Sequence, residues 1–179
     1  MLHDPVMGGA SMKKSIVFAL LFLALGLNSL SAQASLILSG ADNQRATKQL
    51  AGWLNDRGTE VTISEGGTYL VYEDYDENIT VSLYPKLSKS GLDRILAQVY
   101  FSGLDQSQGQ GTLYELANTL NNEWSIGTFF IDDDGSLGVE SQITFVDYID
   151  YVEITNFLKW FDSAVVDAIS EDWVEYYVE

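Results

Sequence analysis

Cysteine is absent from this chain of 179 residues, histidine occurs once, proline twice and methionine three times. Without cysteine there is no disulfide scaffold, no thiolate zinc site and no lipid anchor on an N-terminal cysteine. Two prolines exclude a collagen-like or proline-rich chain. Positive charge is also scarce: 9 Lys and Arg stand against 26 Asp and Glu, a formal net charge of −17. That field repels nucleic acid and anionic lipid and steers cationic partners, while also serving plain solubility. What the chain does have is apolar residues, 46% of the total, too many for a disordered polymer.

The first stretch reads as a leader. Lys13 and Lys14 precede an apolar run over residues 16–25, and Ala32-Gln33-Ala34 follows as a small-x-small cleavage site. This is the layout of a secretory signal peptide, and the run is too short for a membrane helix of about 20 residues. Residues 1–34 are therefore expected to be removed by cleavage after Ala34, with residues 1–11 an upstream extension of a start at Met12. The expected compartment is the periplasm or the medium, with no stable membrane insertion afterwards. Removal takes Lys13, Lys14 and Asp4 with it, so 9 basic and 26 acidic residues become 7 and 25. It also takes His3 and all three methionines, so residues 35–179 contain no His, Cys or Met. A Ser-His-Asp triad, a cysteine nucleophile, a histidine-ligated metal and haem ligation by those residues are excluded there. No cofactor and no metal are expected.

Residues 35–179 read as one α+β domain. Ala46, Leu50, Trp53 and Leu54 share one face of a helix over residues 42–57, and Gly58 is placed to end it in a left-handed cap. Four strands follow: Val61 with Ile63, then residues 68–73, 79–84 and 94–101. Glu65-Gly66-Gly67 marks a turn between the first two, and residues 74–78, 85–93 and 102–111 read as loops. A second helix starts at a capping box of Thr112 and Glu115 and carries Leu113, Leu116, Ala117, Leu120 and Trp124 as its stripe. Residues 126–131 and 137–145 form a hairpin around Asp132-Asp133-Asp134-Gly135. A last helix over residues 151–172, capped by Asp150 and Glu153, has Ile154, Phe157, Leu158, Phe161, Val165, Ala168 and Ile169 as its core stripe. The order α-β-β-β-β-α-β-β-α, with one wet strand face, predicts an antiparallel sheet with helices packed mainly on one face.

Three stretches carry a resemblance. TKQLAGWLNDRGTEVTI at residues 47–63 is a helix ending in Gly followed by a strand, and NITVSLY occupies residues 78–84. LANTLNNEWSIGTFFIDDDGSLGVE at residues 116–140 has a helix ending in Leu-Asn. An aromatic strand then leads through an Asp-rich Gly turn into a strand with an internal Glu. In this order the stretches resemble the YbjN family of bacterial proteins, described in general terms as candidate sensory transduction regulators. The resemblance covers about residues 42–169. It implies a fold similar to the secretion-chaperone class, whose members commonly bind other proteins, often as homodimers. It carries no catalytic motif. Its members are mostly cytoplasmic, and the leader here departs from that.

Candidate sites divide into metal, catalytic and partner readings. An EF-hand register places Phe130 at position one and Ser141 at position twelve around Gly135, both wrong for calcium, so Asp132 to Gly135 reads as a hairpin turn. Asp74, Asp76 and Asn78 have ligand spacing but lack the glycine and the distal glutamate. No phosphate-binding loop is present. Aromatics rimmed by charge mark interfaces, which singles out Trp160 beside Lys159, and Trp173, Tyr176 and Tyr177 in an acidic tail. The competing reading makes Trp160 a second core face and packs the tail on the domain. The expected function is that of an exported, non-enzymatic module of regulatory or chaperone-like kind. It would hold a protein or peptide partner, cationic by charge, through sheet edge and helix surfaces. A carboxylate-dependent glycan hydrolase and a small-ligand carrier are the alternatives.

Overall fold

In the computed structural model, residues 35–38, 41–74, 79–89, 92–101, 104–171 and 174–177 are described. The chain divides into two units, Met1–Ser35 and Leu36–Glu179. The expected leader and its cleavage point lie outside the described residues, and the fold is that of the second unit. A short pair is made by β1 (Ser35–Ile37) and β8 (Tyr148–Asp150). The main sheet contains β2 (Val61–Ile63), β3 (Leu70–Asp74), β4 (Ile79–Lys86), β5 (Leu92–Phe101), β6 (Thr128–Ile131) and β7 (Leu137–Val146). Its order is β2-β3-β4-β5-β7-β6, antiparallel throughout. The helices are α1 (Asn43–Asn55), α2 (Gln110–Glu123) and α3 (Tyr151–Ile169). The architecture is the α+β arrangement read from the sequence, with β1 and β8 added. Among the described residues no helix is long and apolar enough to cross a membrane.

Alternation along the strands sets which side the helices cover. Ile79, Val81 and Leu83 of β4 and Ile95, Ala97 and Val99 of β5 are buried on one face. They meet Leu50 and Leu54 of α1 and Leu158, Phe161 and Val165 of α3 in a single apolar cluster. Removing that surface from water, at about 25 cal/mol per Å², is the main force holding the layers together. The opposite face carries Ser82, Tyr84 and Lys86 of β4 against Gln98, Leu96 and Arg94 of β5. None of those six residues is buried.

Helix ends follow local chemistry. Asp42 caps α1 by accepting from the Arg45 N–H at 2.8 Å. At its far end Gly58 has φ +86°, and Thr59 N–H reaches back to the Leu54 carbonyl, as the left-handed cap required. Asp150 and Glu153 form the reciprocal box that starts α3.

Several boundaries differ from the sequence reading. The expected box of Thr112 and Glu115 is not formed, because α2 begins two residues earlier, at Gln110. Gly109, at φ +82°, turns the chain directly into the helix, and its carbonyl accepts from the N–H groups of Thr112 and Leu113. Strand β4 runs through Pro85 to Lys86 rather than ending at Tyr84. Pro85 lies past Leu83, the last β4 residue that β3 pairs, so its missing N–H breaks no ladder bond on that side. Strand β5 starts at Leu92, with the buried Asp93 accepting from Ser88 N–H at 2.6 Å to close the connection. The last helix stops at Ile169, and Val174–Tyr177 form a 3-10 turn.

Candidate binding surface

The two edges of the main sheet are closed by the same device. Asn55, the last residue of α1, takes Val61 N–H on Oδ1 at 2.9 Å and donates from Nδ2 to the Val61 carbonyl at 3.0 Å. Asn121 of α2 does the same to Phe129, at 2.8 Å for both bonds. Val61 belongs to one edge strand and Phe129 to the other. Each asparagine follows a fully buried leucine, Leu54 or Leu120. The Leu-Asn in the last turn of each helix thus anchors the helix in the core and occupies backbone groups that another strand would need. The expectation that a partner binds through a sheet edge meets this obstacle at both ends.

The helix surface is different. Trp160 projects from α3 with 47% of its surface exposed, and Val152, two turns earlier, is 60% exposed. Behind Trp160 the Phe157 ring lies 6.0 Å away, and Phe157 stacks on the fully buried Phe161 at 5.9 Å. The indole is therefore a surface group backed by rings that lead into the core. Of the other expected contact residues, Trp173 lies outside the described residues, as does the Tyr176 side chain. Tyr177 packs partly buried against the core, and its carbonyl accepts from Asp105 N–H at 2.7 Å. The structure does not bring Tyr177 to Trp160 as a described contact; it assigns Tyr177 to fastening the tail.

A groove of about 430 Å³ has an α3 wall of Tyr151, Thr155 and Lys159, the last next to Trp160 in sequence, with Tyr72, Glu60 and Glu73 facing it. A second groove of about 410 Å³ shares Glu60 and Glu73 and continues along β2. The junction is fixed by Tyr151. Its hydroxyl donates to the Arg57 carbonyl at 3.0 Å and lies 2.8 Å from Thr59 Oγ1, while its ring meets Trp53 edge-on at 5.7 Å. The Arg57 guanidinium covers Trp53 at 4.9 Å. Periodicity could not have shown this junction, because Tyr151 reads as an ordinary first residue of a helix. Glu60 and Glu73 supply two carboxylates, but both are exposed. The acid of a glycosidase pair is instead held in an apolar pocket.

The acidic turn is a turn. Asp132 N–H donates to the Ser136 carbonyl and Gly135 N–H to the Asp132 carbonyl, both at 2.9 Å. Asp132 Oδ1 accepts from Asp133 N–H, and Asp134 Oδ1 from Ser136 N–H, which holds the Asp134 carboxyl below its usual range. Among the described residues no group of three His, Cys, Asp or Glu side chains is placed to hold a metal. Of the other calcium candidate, Asp76 and Asn78 lie outside the described residues.

Fold and surface together define an α+β module with closed sheet edges and an aromatic helix face. Residues 47–171 match the model of the YbjN family, described as "Putative bacterial sensory transduction regulator". The chain belongs to the YbjN family. A solved structure with the same fold is "Crystal structure of YbjN, a putative transcription regulator from E. coli", at 16% identity and TM-score 0.53. The likeness covers 74% of this chain and 94% of that one. Among curated proteins, none matches the sequence.

Proposed function

We propose that the protein is exported and works without catalysis, as a regulatory or chaperone-like module that holds a protein or peptide partner along α3. The exposed Trp160, backed by Phe157, is the observation that carries this reading. Tryptophan is among the residues enriched as interface anchors. Glu60 and Glu73 in the groove that Lys159 also lines, within a chain of net charge −17, favour a partner with cationic residues next to an apolar one. Export is supported by the basic, apolar and small-residue layout of residues 13–34. The family description fits a regulatory role.

The test pairs Trp160→Ala with the wild type. A tagged protein purified from the cell envelope should retain a partner that Trp160→Ala binds at least about tenfold more weakly. Its melting temperature should stay within about 2 °C, since truncating a half-exposed side chain costs little in stability. A partner held equally by both proteins, or none held by either, overturns the reading. Intact mass of exported material should begin at Ser35.

A further inference from the structure

The face of the main sheet opposite the helices is balanced in charge and carries two pairs of rings. Among its described strand residues Lys86 and Arg94 stand against Glu73 and Glu140, in a chain of net charge −17. Tyr69 and Tyr84 lie 4.8 Å apart at one level, and Tyr100 meets Phe130 edge-on at 5.9 Å at another. Tyr84 is the register partner of Leu96, and Tyr100 stands four residues further along β5, about 13 Å away at strand spacing. None of the four rings joins the core cluster. The Phe130 ring fills the space that a Cβ on its register partner Gly138 would need, so it rests on the sheet itself. Between the two levels lies Gln98, whose Nε2 donates to Glu140 Oε2 at 2.6 Å, and beside it Arg94 donates to Gln142 Oε1 at 3.2 Å. Those bonds hold the side chains in place and leave Gln98 Oε1 and Glu140 Oε1 as acceptors and Gln142 Nε2 as a donor.

We propose that this face binds an uncharged linear oligosaccharide, laid along β5 from the Tyr69–Tyr84 pair to the Tyr100–Phe130 pair. A sugar ring presents an apolar C–H face that rests on an aromatic ring, and hydroxyls that each donate and accept. The ring pairs meet the first need, and Gln98, Glu140 and Gln142 meet the second. Charge selects among ligands. A cationic chain meets Lys86 and Arg94, and an anionic one meets Glu140 and the field of the whole molecule, whereas a neutral polyol is opposed by neither. A peptide added as a strand needs free backbone groups at an edge, and Asn55 and Asn121 already occupy those of Val61 and Phe129. Side chains fixed before the ligand arrives lose little freedom on binding it. The proposal concerns a different surface from the α3 groove and does not depend on it.

The test is isothermal titration calorimetry with three uncharged probes, cellohexaose, maltohexaose and N-acetylchitohexaose. At least one should bind with a Kd below about 1 mM. Its affinity should change less than about twofold between low and high salt, because no charge pair forms. Tyr100→Ala and Gln98→Ala should each weaken that probe about tenfold or more, through the lost ring contact and the lost hydrogen bonds. Trp160→Ala, on the other surface, should bind it as the wild type does. Thermal melts establish that each variant is folded. Should Tyr100→Ala not fold, Tyr84→Ala replaces it, and the same loss is required. Binding of none of the three probes overturns the proposal. Affinity that falls with salt, or that survives Tyr100→Ala or Gln98→Ala, or that is lost in Trp160→Ala, also overturns it.

Discussion

Replacing Asn121 by alanine isolates the edge closure, because one side chain makes both bonds. The substitution removes two hydrogen bonds of 2.8 Å to the backbone of Phe129. Each is worth about 0.5–1.5 kcal/mol net in a folded protein. Phe129 is 2% exposed, so water replaces the lost partners poorly and part of a desolvation cost of about 1–3 kcal/mol per group is added. Alanine is the better helix former by about 0.6 kcal/mol, which offsets some of this. The net loss is about 2–3 kcal/mol, a fall in melting temperature of roughly 5–10 °C for a domain of this size. Urea unfolding of Asn121→Ala beside Asn122→Ala gives the comparison. Asn122 is exposed on the same helix, so its substitution changes helix propensity alone. Agreement of the two variants within about 0.5 kcal/mol would refute the reasoning.

Gly127→Ala should be destabilising by about 2–3 kcal/mol, because its Cβ would run into the backbone carbonyl of Glu140, which cannot yield as a side chain would; an unchanged urea midpoint would contradict this. Burial, with Tyr69 nearby, raises the Tyr84 phenol above its ordinary 10.0, and burial, with Asp132 nearby, raises Tyr100. In the unfolded chain these phenols ionise first. Their contribution to stability is therefore complete below pH 10.0 and is lost as pH rises from there through the folded values. Near-ultraviolet absorbance titration of wild type against Tyr100→Phe should show the missing phenol above 10.0, and a difference centred at or below that value would refute the assignment.

The layered fold was legible because it rests on period and punctuation. The stripes of Leu50 with Leu54 and Leu158 with Phe161 and Val165 pack as their spacing predicts. The α3 box forms because Asp150 and Glu153 stand at the right separation with an apolar run behind them. The expected box at Thr112 fails because a glycine with free backbone rotation outcompetes a side-chain cap three residues downstream. Strands β1 and β8 have three residues each and lack the Gly66-Gly67 turn signal that marks the equally short β2. At the binding surface, Trp160 was visible as an aromatic off the core stripe. The groove lined by its neighbour Lys159 was not, since it forms where the α1–β2 connection, β3 and α3 converge from distant parts of the chain. The roles of Asn55 and Asn121 were present as letters in the Leu-Asn motif, but only strand order shows that both reach an edge.

Those asparagines matter most when the charge that keeps copies apart is removed. Near neutral pH a net charge of −17 discourages indiscriminate association. Close to the isoelectric point of about 4.1 that repulsion vanishes, and only local structure decides whether strands meet edge to edge. In the wild type each edge has a residue whose N–H and carbonyl are already taken, at Val61 and at Phe129. A strand that approaches must displace a bidentate side chain before it gains ladder bonds. Light scattering on lowering the pH should therefore show the double variant Asn55→Ala with Asn121→Ala aggregating earlier, at a higher pH than wild type. The Asn122→Ala control should follow the wild type. Melts at pH 7 separate this from simple instability: at a temperature where both proteins are fully folded, the difference in onset must persist. If the double variant and wild type scatter at the same pH under those conditions, the edges are protected by charge alone, and the asparagines serve only to fasten helices to strands.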